Sequence, residues 1–131
     1  MSKYLERAEK IRAIVEPHHN CCQSVLMTFS PELNITDEAA FQIGFNFGGG
    51  MKCGSTCGAV IGALMALGMM DINDPSVPST IIKEFKERHQ GCLNCVDLLK
   101  INKETGTEKK VHCDRLVYEM VKVVEEYMNN K

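Results

Sequence analysis

The chain has 131 residues, 44% of them hydrophobic, and fifteen Lys plus Arg against seventeen Asp plus Glu leave a formal charge of −2. A chain of this length builds one domain whose core hides roughly two-thirds of the unfolded surface, so residues 1–131 are expected to form a single unit. The near-neutral balance, with no long block of like charge, argues against nucleic acid and anionic membranes as partners. The hydrophobic fraction argues against wholesale disorder.

Taken in chain order, Tyr4, Ala8, Ile11 and Val15 recur three or four residues apart and predict a helix from about Lys3 to Glu16, stopped by Pro17. The opening MSKYLERAEKIRA places charges where an export signal needs an unbroken apolar segment, which predicts a cytoplasmic protein. Val25, Leu26 and Phe29 suggest a second, short helix ending near Ser30 and Pro31. Thr36 reads as the N-cap of a third, ending near Phe45, with Asp37 and Glu38 at its positive end. The glycines from Gly48 to Gly54 cannot hold a stable helix and predict a loop of unusual backbone freedom. Ser55 is then the expected cap of a central helix carrying Gly58, Gly62 and Ala66 at four-residue intervals, a smooth stripe that another helix can approach closely. The apolar run Ala59 to Met70 falls well short of the about twenty residues that cross a bilayer, so no membrane span is expected.

A connector from Asp74 to Ser79 precedes a fifth helix with Ile81, Ile82 and Phe85, which Gly91 ends. A sixth, short helix from about Leu93 to Lys100 is followed by a polar loop from Asn102 to Lys110. A last helix from about Val111 to Met128 places Cys113, Val117, Met120, Val124 and Tyr127 on one apolar face. An apolar flank through Val123 and Val124 leaves a homo-oligomer open. No β-alternation of convincing length appears. The predicted fold class is all-α, a compact single-domain bundle of six or seven helices around a central Gly/Ala-rich helix.

Seven cysteines, an odd number without an export signal, read better as thiols kept for chemistry or metal than as a disulfide framework. They fall into four groups: Cys21 with Cys22, Cys53 with Cys57, Cys92 with Cys95, and Cys113 alone. A single buried cysteine is often just a small hydrophobe. Four groups on separate elements of one small domain instead suggest convergence, and four thiolates suit a soft metal or an iron-sulfur cluster. Cys57, in the first turn after the glycine loop, is expected to have its pKa lowered by free backbone amides and the helix dipole. Cys53 with Cys57, or Cys92 with Cys95, also have the spacing of a local dithiol. The glycine run lacks both the lysine and the preceding strand of a phosphate-binding loop, and Val96 after Cys95 rules out the C-x-x-C-H of covalent haem. His18 and His89 read as solvated helix ends. His112 points about 100° away from its neighbour Cys113, which disfavours joint ligation.

Asn20, Cys21, Gln23 and Val25, then F-G-G-G-M from Phe47 to Met51 and C-G-A-V-I-G from Cys57 to Gly62, followed by Phe85, Gly91, Asn94, Cys95, Leu98, Cys113 and Val117, resemble the C_GCAxxG_C_C family of redox-active proteins over nearly the whole chain. By position, the resemblance implies that the four characteristic cysteines are Cys21, Cys57, Cys95 and Cys113, and that Cys22, Cys53 and Cys92 are additions of this sequence. It implies redox chemistry without naming a substrate; related domains occur in split-Soret cytochromes beside haem and iron-sulfur centres. Helix spacing puts Cys22 on the apolar face and Cys21 nearer its edge, which predicts a site at the rim of the core. Three functions follow. The first is electron transfer with a redox partner protein, as an oxidoreductase or its electron-transfer component, the four thiols holding an iron-sulfur cluster or other soft metal. The second is thiol-disulfide chemistry, with Cys57 attacking and Cys53, Cys95 or another neighbour resolving. The third is a non-catalytic binding module stabilised by zinc.

Overall fold

A computed structural model describes residues 2–130 as α1 (Lys3–Ala13), α2 (Cys21–Thr28), α3 (Ser30–Leu33), α4 (Asp37–Gly44), α5 (Gly58–Met69), α6 (Ser76–Arg88), α7 (Cys95–Thr105) and α8 (Lys109–Asn129). Seven of these helices are two turns or longer and α3 is a single turn; no strand occurs among the described residues. The fold is an all-α single domain. Side-chain caps start α1, α2 and α4: the Ser2 hydroxyl accepts from the Leu5 amide, Asn20 and Gln23 form a reciprocal capping box, and Thr36 accepts from the Ala39 amide, as its sequence context predicts. No side-chain cap starts α5, α6, α7 or α8.

Several helix ends differ from those the periodicity predicts. Helix α1 stops at Ala13 because Ile14 turns into extended backbone, leaving Val15 71% exposed rather than on the apolar face. Helix α6 starts already at Ser76, since Pro78 sits in a first turn where its missing N–H has no partner to lose. Helix α7 runs on to Thr105: the buried Asn102 donates its amide to the Thr107 carbonyl at 2.9 Å, and Gly106 closes the helix at φ 77°. The polar stretch predicted as a loop is therefore mostly the end of one helix and the start of the next. Val124 is fully buried and Val123 packs partly against the core, so the two do not form the exposed flank expected of them. No helix among the described residues is long and apolar enough to cross a membrane.

The core is built on α2 against α5. Every residue of α2 from Cys22 to Thr28 is buried, more completely than the Gly/Ala-rich α5 that the sequence marks as central. Their backbones nearly touch. A Cβ placed on Gly62 would lie 2.8 Å from the Cys22 carbonyl oxygen, and one on Gly58 would lie 3.2 Å from the Cys22 amide and 3.0 Å from the Phe47 oxygen. Helices α1, α4 and α8 pack around this pair, with Phe29, Phe85, Leu26, Leu67 and Met120 as the largest fully buried side chains.

Between Phe47 and Ser55 the chain takes four consecutive left-handed residues, Gly49, Gly50, Met51 and Lys52, before Gly54 adds a fifth at φ 75°. At Gly50 a Cβ would lie 2.3 Å from the Ser55 oxygen, so the loop folds back on itself too tightly for any other residue. Met51 is 43% exposed at φ 58°, where an L side chain costs about 1–2 kcal/mol. Met51→Gly should therefore raise stability in urea unfolding by about 1 kcal/mol; an unchanged or lower midpoint would mean that the Met51 side chain makes a compensating contact.

Candidate functional site

Three local devices set the positions of Cys21, Cys57 and Cys95. The Asn20–Gln23 capping box fixes the first turn of α2, so Cys21 becomes its first residue, and the Asn20 amide also donates to the carbonyls of Gly44 and Phe45, tying that end to α4. Residues 55–57 and 93–95 pair antiparallel through one bridge, Thr56 to Asn94: the Cys57 amide donates to the Leu93 carbonyl at 3.0 Å and the Cys95 amide to the Ser55 carbonyl at 2.6 Å. That bridge sets the starts of α5 and α7 side by side. It also employs Ser55 through its carbonyl, so Ser55 does not cap α5 as predicted; Cys57 itself occupies the cap position. Cys113 lies one turn into α8.

Cys21, Cys57, Cys95 and Cys113 come together. The Cys21 and Cys113 thiols adjoin, Cys57 lies near Cys21, Cys95 and Cys113, and Cys95 lies near Cys113. Cys21, Cys95 and Cys113 are half-buried and Cys57 is buried, so the group sits at the rim of the core. Cys22, absent from the expected set, lies wholly buried beside Cys57 with its sulfur 3.9 Å from the Met65 sulfur.

Their electrostatics differ from expectation. Cys113 is held down to about 7, first by the adjoining Cys21 thiol and then by the Arg12 guanidinium and the Lys109 ammonium, against burial and the Asp114 carboxylate. Cys21 is pushed well up by the adjoining Cys113 thiol and by burial. Cys57, predicted to be the acidic thiol, is instead raised to about 11. Burial outweighs the amides of Ala59 and Val60 that point at its sulfur, and the neighbouring Cys95 and Cys113 add to the rise. Burial likewise raises Cys95, and takes Cys22 to about 12.

The residue missed at the sequence level is Arg12. It is only 7% exposed, and its guanidinium meets Asp114 at 2.6 Å, the His19 carbonyl at 2.8 Å and the Ser24 hydroxyl at 3.0 Å. One side chain thus joins α1, the chain entering α2, α2 itself and the residue after Cys113. The signal was present: Arg12 stands four residues after Ala8, on the face that Tyr4, Ala8 and Ile11 turn to the core, where an unpaired cation is costly.

Other candidates lie elsewhere. Cys53 is exposed and its thiol points to the Gly50 carbonyl, while Cys92 points to the Gln90 carbonyl, so neither forms a dithiol with Cys57 or Cys95. His89 is not a solvated helix end: it bonds Glu119 at 2.8 Å and lies against Phe85, ring centres 4.3 Å apart. His112 keeps a buried, unpartnered Nε2 on the His89 side of α8.

Among the described residues, no group of three or more His, Cys, Asp or Glu side chains is arranged to hold a metal ion. As placed, Cys21, Cys57, Cys95 and Cys113 form no such ligand group. Residues 19–127 match the sequence model of the family described as "Putative redox-active protein (C_GCAxxG_C_C)". The chain belongs to the C_GCAxxG_C_C family. No curated protein and no solved structure matches it. The family's name spells out a C, then G-C-A-x-x-G, then two further cysteines; this chain carries C-G-A-V-I-G from Cys57 to Gly62, and the fold gives its glycines a physical meaning. In this C_GCAxxG_C_C chain, the two glycines after Cys57 are the positions where α5 meets the start of α2, beside Cys21.

Proposed function

We propose that this redox-active protein is a thiol-disulfide carrier in which Cys113 attacks and Cys21 resolves. The observation that supports the reading is the juxtaposition of these two thiols beside the buried Arg12, whose guanidinium, with the Lys109 ammonium, favours the anion at Cys113. The Cys113 thiolate attacks one sulfur of a disulfide R–S–S–R, forming a mixed disulfide and releasing R–S⁻, which takes up a proton. Cys21 then gives up its proton and attacks the Cys113 sulfur, closing Cys21–Cys113 and releasing the second thiol. Two electrons pass from the protein to the substrate, and a dithiol partner returns them by the reverse steps. Cys57 and Cys95 adjoin the pair as further members of the same site.

The test is reaction of the reduced protein with glutathione disulfide, followed by acid trapping, alkylation and peptide mass spectrometry. Wild type should yield a disulfide that includes the Cys21–Cys22 peptide. Cys113→Ser should slow glutathione release at least tenfold, whereas Cys53→Ser and Cys92→Ser together should not. The same rate is expected after exhaustive chelation. Loss of reaction on chelation and its return with iron and sulfide or with zinc would replace this reading by metal ligation.

A further inference from the structure

Cys57 is buried, with Cys21, Cys22, Cys95 and Cys113 all near it. Cys21 and Cys22 are adjacent residues at the start of α2, and Cys57 sits where α5 begins against them. A Cβ on Gly58 would lie 3.2 Å from the Cys22 amide and 3.5 Å from the Cys21 Cβ, and one on Gly62 would lie 3.3 Å from the Cys22 Cα. Cys57 immediately precedes Gly58, so the crossing carries it next to both Cys21 and Cys22, the juxtaposition that disulfide exchange among the three needs. Cys22 is wholly buried, with only the Met65 thioether as a further polar contact, and the chemistry proposed above leaves it unused.

We infer that Cys22 and Cys57 form a second, internal dithiol that takes over the disulfide from Cys21 and Cys113, so that the chain stores two electron pairs rather than one. This rests on the thiol-disulfide reading of the site. Once Cys21–Cys113 has formed, Cys57 loses its proton and attacks the Cys21 sulfur; Cys21–Cys57 forms and Cys113 leaves as thiolate. Cys22 then loses its proton and attacks the Cys57 sulfur; Cys22–Cys57 forms and Cys21 leaves as thiolate and takes up a proton. No electron leaves the protein in this exchange. The outer pair, reduced again, accepts a second disulfide substrate, while the inner one is shielded from solvent and from reductants too large to enter.

The experiment uses the full chain carrying Cys53→Ser and Cys92→Ser, oxidised stepwise with dithiodipyridine, whose released thiopyridone counts the thiols consumed. After one equivalent, the Cys57 peptide should be linked to the Cys21–Cys22 peptide and Cys113 should be free to alkylate; a second equivalent should then be consumed, closing Cys21–Cys113. Adding Cys22→Ala should reverse the first result, leaving Cys113 linked and Cys57 free, and uptake should stop at one equivalent. Cys22→Ser, which fills the site, should behave alike and guards against an effect of misfolding, checked by circular dichroism. Linkage of Cys57 to Cys95, or two equivalents still consumed by both Cys22 variants, overturns the inference while leaving the carrier reading intact. Failure of the parent to form any disulfide with the Cys21–Cys22 peptide sinks that reading as well.

Discussion

Arg12→Gln is expected to destabilise the protein by about 3 kcal/mol and, separately, to shift the pH midpoint for alkylation of Cys113 upward from about 7. The stability loss follows from the burial of the guanidinium: removing it strands the Asp114 carboxylate and leaves the His19 carbonyl and the Ser24 hydroxyl without their shared donor. Asp114 keeps some contact with water and a second partner in Lys110 at 3.2 Å, which holds the cost near the lower end for a broken buried pair. The reactivity change has a fixed sign. A cation beside a thiolate favours the charged form, so losing it raises the pKa and lowers the thiolate fraction at neutral pH. The shift stops short of the ordinary thiol value because the Cys21 thiol and Lys109 remain. Urea unfolding and iodoacetamide rates from pH 5 to 10 separate the two effects. Arg12→Lys should recover much of the reactivity but little of the stability, since an ammonium restores the charge and cannot span three acceptors as the planar fork does. If Arg12→Gln unfolds the protein more easily and the alkylation midpoint stays at about 7, Arg12 serves the fold and not the thiol.

The contrast between Arg12 and Cys57 shows which parts of the molecule were legible in its sequence. The periodicity of apolar residues located every helix longer than one turn, because burial of one face is a local pattern of three and four. Ends set by an adjacent side chain were legible too, as at Thr36. Ends set by distant backbone were not: the start of α7 and the register of Cys57 depend on a single bridge between segments nearly forty residues apart, and nothing near Ser55 announces it. The grouping of Cys21, Cys57, Cys95 and Cys113 was anticipated from their distribution over separate helices and from resemblance. Their acidities were not. Local rules count the helix dipole and the free amides, which act in Cys57's favour, but they do not count depth, which decides against it. Lys109, one turn away, adds to the acidity of Cys113, but the larger contributions come from Cys21 and Arg12, about 90 and about 100 positions away along the chain, so no window around Cys113 contains them.

The close crossing of α2 and α5 supports both the core and the thiol group, and Gly62 tests it. Gly62→Leu is expected to cost about 3 kcal/mol or more, because its first side-chain carbon would already lie 2.8 Å from the Cys22 carbonyl oxygen and 3.1 Å from the Val25 Cβ. Neither neighbour yields easily: one is helix backbone, the other a β-branched side chain wholly buried in the core. The helices must part, and parting them carries Cys21 and Cys22 away from Cys57. The variant should therefore lose disulfide transfer to Cys57 even in conditions where it stays folded, as read by the same stepwise oxidation. Gly68→Ala supplies the control within the same helix. A Cβ there meets nothing within 4 Å, so the ordinary helix preference for alanine should raise stability by up to about 1 kcal/mol. If both variants unfold like the wild type, α5 does not run against α2 at the distance described, and the thiols it carries need another explanation for their proximity.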